Sequence, residues 1–157
     1  MTSTTFIPST PDQADVTVSN NGWYPIISLN ELRSQMRITN DVDNTQLGAR
    51  TQDAIIAINE TLDDWRTEQL ALGYNTFESI PCDVFGDERR TDILYKTAVH
   101  HRTKRLLLEQ DRYLSTQARG REFSDVTDGT SDDLLNQETW AIRQLRGESG
   151  SWAIRLI

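Results

Sequence analysis

The sequence holds a single cysteine, Cys82, among 157 residues, so no intramolecular disulfide can form and no second thiol is available to share a metal. That scarcity fits a reducing compartment and leaves stability to packing. No stretch approaches the roughly 18 consecutive apolar residues of a membrane span. The first 20 residues lack the basic head and apolar core of a secretory signal, so neither export nor membrane insertion is expected. Cations are also in short supply: 16 Lys and Arg against 24 Asp and Glu give a formal charge of -8. Bulk duplex binding is disfavoured by that balance, because phosphate contacts need clustered Lys and Arg. Catalytic signatures are missing too. There is no GxxxxGKS/T or GxGxxG to cradle phosphate, no GxSxG elbow and no HExxH pair. His100 and His101 are adjacent, so on a helix they diverge by about 100° and do not easily ligate one metal. One is expected against the core edge and the other in solvent. No enzymatic activity, cofactor or metal site is expected.

What is present reads as helix. The first 20 residues are rich in Thr, Ser, Pro and Asp and have little periodicity, which predicts an irregular arm over 1–22. "SNNGWYPII" is turn chemistry that would lay Trp23 and Tyr24 on a surface before a helix begins, as a lid on the core more than as a binding site. A first short helix opens at Ser28 with a capping-box pattern, Ser28 accepting from the Glu31 N–H and the Glu31 carboxylate reaching back to the Ser28 N–H. From about Thr45 to Leu72, Ile55, Ile58, Leu62 and Trp65 recur at helical steps, with Leu47 and Leu72 in continuation and Gly73 as the left-handed stop. Pro81 and Gly86 break the next connection, which Phe77, Ile80 and Phe85 are expected to pin, and Asp87 and Glu88 suit the start of another helix. That second long helix runs to about Leu114, with Leu94 and Leu108 among its core positions. A last helix is predicted from Ser131 to Gly147, lined by Leu134, Leu135, Ile142 and Leu145, with Trp140 on a neighbouring stripe. The predicted class is all-α: a small bundle of about four helices, two of them long, over 23–147. An extended tail over 148–157 is the only expected strand-like element.

Charge is unevenly placed. Arg102 to Arg121 contains six bases and two acids, whereas Glu122 to Glu138 contains six acids and no base. Such edges suit head-to-tail packing of identical subunits, in which Arg102, Arg105 and Arg112 would meet Asp125, Asp128 and Asp132 of a neighbour. A salt-bridged hairpin within one chain explains the pattern equally well. A third alternative is a DNA-binding or packaging accessory that uses the Arg102 to Arg112 face. The second helix carries Arg50 and Arg66 against Asp53, Glu60, Asp63, Asp64 and Glu68, a net -3. The tail alternates Trp152, Ile154 and Leu156 with Ala153, Arg155 and Ile157, the period of a strand. With no sheet expected in the domain, it either lies over its own helices or adds to a sheet edge on another molecule. The Gly-Ser break before it favours the second.

Three stretches, "TVSNNGWYPIISLNELRSQMRI", "AIIAINETLDDWRTEQLALGY" and "DDLLNQETWAIRQLRG" with the closing "WAIRLI", together resemble the head completion or stabilisation protein L family of contractile-tailed temperate phages. The resemblance begins near residue 16, and the first residues and the 115–130 loop match nothing definite. It implies a non-enzymatic virion component at the head-tail junction, assembled in the host cytoplasm. The implied form is a ring of self-associated copies, usually twelve, beneath the portal protein once DNA is packaged. Its other face would receive a neck protein or tail terminator, and DNA would pass through the lumen without sequence-specific binding. Residues Trp152 to Ile157 would be the portal-docking tail. The acidic second helix is the expected lumen side.

Overall fold

Asn21 shows how the chain enters its fold. Its Oδ1 accepts the N–H groups of Trp23 (3.1 Å) and Tyr24 (3.2 Å), an Asx-type turn that reverses the backbone. On either side, Thr17–Val18 (β1) pairs antiparallel with Ile27–Ser28 (β2) in the register Thr17↔Ser28 and Val18↔Ile27. The Leu29 N–H adds a bond to the Val16 carbonyl at 2.9 Å. The computed structural model describes residues 15–118 and 124–148, with side chains up to 115 and again from 130. The irregular arm expected over 1–22 is therefore a pinned strand and turn in its second part, and residues 1–14 lie outside the described residues.

Helix α1 (Leu29–Met36) begins as read: the Ser28 side chain accepts from the Glu31 N–H at 3.1 Å. The reciprocal half of the box is not made. Glu31 instead holds Lys96, Nζ to Oε2 at 3.1 Å, because a full opposite charge outcompetes a backbone amide. The single helix expected from Thr45 to Leu72 is two, α2 (Asn44–Thr61) and α3 (Asp63–Ala71). Leu62 at φ -97°, ψ 5° makes the break. The Leu62 N–H still reaches Ile58 O and the Arg66 N–H reaches Leu62 O, so the apolar stripe crosses the break without a breaker residue. Gly73 (φ +96°) ends α3, with its N–H on Leu70 O and the Tyr74 N–H on Gln69 O, the two bonds of a Schellman stop.

A one-turn 3-10 helix (Phe77–Ser79) and a hairpin follow. Val84–Phe85 (β3) pairs with Glu88–Arg89 (β4), Gly86 at φ +64° leading the turn. Asp87 and Glu88 thus belong to a hairpin, not to a helix start, and Asp92 supplies the acid in the first turn of α4 (Arg90–Ala118). Helix α5 (Ser124–Leu145) starts seven residues before the expected Ser131. Much of the segment read as a loop over 115–130 is helical. Its Gly, Ser and Asp content lowers intrinsic helix propensity, which is why the sequence reads there as a loop.

α4 and α5 form an antiparallel hairpin, and α2 also packs against α4. Ile55, Ile58, Leu62, Trp65, Leu94, Ile142 and Leu145 are buried in one core around Tyr95. Leu108 is only half-buried; a residue back on the helix, Leu107 turns into a second cluster with Leu29, Leu32, Ile38 and Leu47. Two other expected core residues are exposed, Leu72 at 68%, one residue past the end of α3, and Phe85 at 59%, on the two-residue strand β3 whose side chains both face outward. Five aromatic rings fill the first core. Trp23 meets Tyr24, Trp65 and Phe77 edge-on, and Tyr24 stacks on Tyr95 at 4.8 Å, each pair contributing about 0.5–1.5 kcal/mol beyond burial. Trp23 and Tyr24, expected on a surface as a lid, are instead buried members of the core.

One closed polar ring lies against these aromatics. Asn20 Nδ2 donates to Tyr95 Oη (2.8 Å), Tyr95 Oη donates to Asn59 Oδ1 (2.7 Å), and Asn59 Nδ2 donates back to Asn20 Oδ1 (2.8 Å). Burial raises the Tyr95 phenol above its ordinary pKa, so it remains a donor. The ring gives partners to all three side chains at the edge of the core, where Tyr95 is buried and the two asparagines are half-buried.

Candidate assembly surfaces

A surface protein contact is built from side chains that the fold leaves outward, so the first question is which expected contact residues remain free. Arg102 and Arg105 do not. Both sit on the side of α4 that faces α5, and both donate to Glu138: Arg102 Nη1 to Oε1 at 2.9 Å and Arg105 Nη2 to Oε2 at 3.0 Å. The Glu138 side chain is 5% exposed. Arg105 also holds Glu109 at 3.0 Å. Burial alone would lower the Arg105 pKa, but the bonds and charges of Glu138 and Glu109 raise it overall. The intramolecular alternative for the charge pattern thus accounts for these two arginines, and their bonds set the register of the α4–α5 hairpin.

What remains outward divides by helix. On α4, Arg112 is exposed; Lys104, which is half-buried, makes no ion pair among the described residues. On α5, Asp132 and Asp133 are exposed and free of ion pairs among the described residues. The side chains of Asp125 and Asp128 lie outside the described residues. The hairpin therefore still presents cations on one edge and carboxylates on the other, fewer than the sequence alone suggested.

Apolar side chains break the outer face as well. Trp140 is 50% exposed on the side of α5 opposite its buried stripe, among Asn136, Gln137 and Arg143. A half-exposed Trp with a polar rim is the composition of a binding hot spot. Neither Trp140 nor the exposed pair Val84 and Phe85 was assigned a contact role from sequence. Periodicity placed Trp140 beside the core stripe, and a two-residue strand is too short to show a face.

The docking tail Trp152, Ala153, Ile154, Arg155, Leu156 and Ile157 lies outside the described residues. Its root is described: Gly147 (φ +69°) donates to Gln144 O, and the Glu148 N–H to Arg143 O, so α5 ends where the sequence placed its stop.

The histidines carry no assembled chemistry. His100 is 1% exposed, with Nδ1 at 2.9 Å from Gln35 Oε1 and Nε2 unpartnered. Burial, aided by Lys96 and His101, lowers its pKa from 6.5 to about 4. His101 is half-buried instead of solvated, its Nδ1 on Thr97 O at 2.7 Å. Among the described residues, no three His, Cys, Asp or Glu side chains gather as a metal site. No helix among them is long and apolar enough to cross a membrane.

The sequence has known relatives. The chain is 25% identical over 145 residues to the head completion/stabilization protein of Escherichia phage P2, covering 92% of this chain and 85% of that one. It is 30% identical over 141 residues to the probable head completion/stabilization protein of Haemophilus phage HP1, covering 88% and 91%. No solved structure matches it. The family described as phage head completion protein (GPL) matches residues 18–156, nearly the whole chain, and the protein belongs to that family.

Proposed function

We propose that this protein is a structural component of the phage virion that completes and stabilises the filled head, assembling as a ring of copies beneath the portal after DNA packaging. The observation that carries the reading is the family match, which runs to residue 156 and so takes in the segment of Trp152 to Leu156. Residues Trp152 to Ile157 latch the ring to the portal by adding to a sheet edge, main-chain bonds giving affinity and alternate side chains specificity. The opposite face of the ring receives the neck protein or tail terminator. Lys104 and Arg112 on one edge of the helical hairpin and Asp132 and Asp133 on the other supply complementary charges between neighbouring copies. The exposed acids Asp53, Glu60, Asp63, Asp64 and Glu68 line the lumen, where repulsion keeps DNA from sticking.

The DNA-binding alternative gains no support from the geometry. Arg102 and Arg105 are engaged with Glu138, and a phosphate would have to displace a carboxylate from each. The test is binding of the purified protein, with and without residues 151–157, to filled tailless heads or an isolated portal ring, followed by imaging. Closed rings that form only with the tail are expected. Binding indifferent to the tail would move the portal contact to the helical body, and failure to bind heads, with steeply salt-dependent retention of duplex DNA, would refute the proposal.

A further inference from the structure

At the foot of the α4–α5 hairpin a groove of about 420 Å³ opens between α3, the 80–83 connection, the start of α4 and the last turn of α5. Its floor consists of core side chains that reach its edge, Trp65, Ile80, Leu94 and Leu145. Its volume falls in the range of clefts that hold small ligands or side chains. The rim is polar. Arg90 Nη2 donates to Gln144 Oε1 at 2.8 Å across it, and the Asp83 carboxylate is exposed, with no hydrogen bond or ion pair among the described residues.

The groove also contains the point from which the chain departs. Gly147 lines it, and the Glu148 N–H bond to Arg143 O turns the backbone toward the last turn of α5. Nine residues, 149–157, follow in the sequence; extended, they reach roughly 30 Å, ample to cross a groove that begins at their own root. They supply a complementary set: apolar Trp152, Ile154 and Leu156 for the floor and Arg155 for Asp83. We propose that in the free protein this groove holds residues Trp152 to Leu156 of the same chain, Trp152 against the apolar floor and Arg155 paired with Asp83. The apolar segment is thereby covered before assembly and must leave the groove to bind anything else. The inference does not depend on what the segment binds in the virion.

Cys82 makes the test direct, because it lines the groove, is half-buried and is the only thiol in the chain. The rate of its reaction with a chromogenic aryl disulfide reports whether the groove is covered. We expect the full-length variant Trp152→Ser/Ile154→Ser/Leu156→Ser to react several-fold faster than the parent. A synthetic peptide of residues 151–157 should restore protection to the variant. Equal rates for parent and variant, with no effect of the peptide, would overturn the proposal. Protection of the parent that strengthens with protein concentration would also overturn it, by assigning the groove to the tail of a second copy. A variant that no longer melts cooperatively would overturn it in another way, making the segment part of the core. Head-binding assays are separate from this readout, so failure of the portal reading leaves it unaffected.

Discussion

Glu138→Gln should destabilise the protein by about 2–3 kcal/mol. Among the described residues Glu138 is the one acceptor that Arg102 Nη1 and Arg105 Nη2 share, at 2.9 and 3.0 Å, and its side chain is 5% exposed. Glutamine keeps the shape and one oxygen but turns an amide toward one of the two guanidinium groups and removes the charge that compensates both. Removing one partner of a buried ion pair typically costs about 3–5 kcal/mol. Two features reduce that here: the Arg102 side chain is 29% exposed and can turn to water, and Arg105 retains Glu109 at 3.0 Å. Urea unfolding followed by circular dichroism, with the slope held common, gives the difference directly. In a domain of this size the melting temperature should fall by roughly 5–10 °C. Replacing Arg102, Arg105 and Glu138 together with leucine should recover most of the loss, because no charge is then stranded. A Glu138→Gln protein within about 0.5 kcal/mol of the parent would refute the view that this carboxylate holds the hairpin together.

Other expectations follow from the same geometry. His100 has a folded pKa near 4 against 6.5 for the free side chain; the unfolded chain therefore binds the extra proton first. Stability from this site is fully present above pH 6.5 and is lost as pH falls toward 4, by about 3 kcal/mol in all. His100→Gln should flatten that part of the stability profile measured by urea titration. Trp65→Ala removes a ring that is 5% exposed and packed against Trp23 and Phe77, and should cost about 3–5 kcal/mol; an unchanged melting temperature would contradict its placement. Gly73→Ala meets no atom within 4 Å but keeps φ at +96°, so it should cost about 1–2 kcal/mol by calorimetry, from backbone strain alone.

The sequence was most legible where a feature is decided within one turn of chain. The Ser28 cap, the Gly73 and Gly147 stops and the buried stripe Ile55, Ile58, Leu62, Trp65 are all of this kind. Misreadings occur where a distant residue decides the matter. Glu31 turns from its own helix start because Lys96, 65 residues on, supplies a stronger partner. Arg102 and Arg105 looked available to a neighbour because nothing local shows that Glu138 will face them across the hairpin. The sequence signals the start of α5 only at Ser131 because Ser124 to Thr130 is poor in helix formers, and the β3–β4 hairpin is too short for a period. Of the candidate site, the charge asymmetry and the root of the tail were readable. Exposure of Trp140 was not, since a single aromatic on an amphipathic helix carries no sign of which edge it occupies.

The hydrogen-bonded ring of Asn20, Asn59 and Tyr95 has a consequence for the order of folding. Its Asn20–Tyr95 bond spans 75 residues, whereas α4 and α5 follow one another in the chain and the bonds of Arg105 and Arg102 to Glu138 span 33 and 36. Chain-closure entropy favours local contacts early and leaves the most distant ones until late. The helical hairpin is therefore expected to form before the N-terminal turn closes over Tyr95. Weakening the ring, as in Asn20→Ala, should then hasten unfolding and leave the refolding rate nearly unchanged. A bond set of this sort acts as a latch on the native state more than as a guide to it. In a phage head completion protein, the lifetime of the folded form is the quantity such a latch controls.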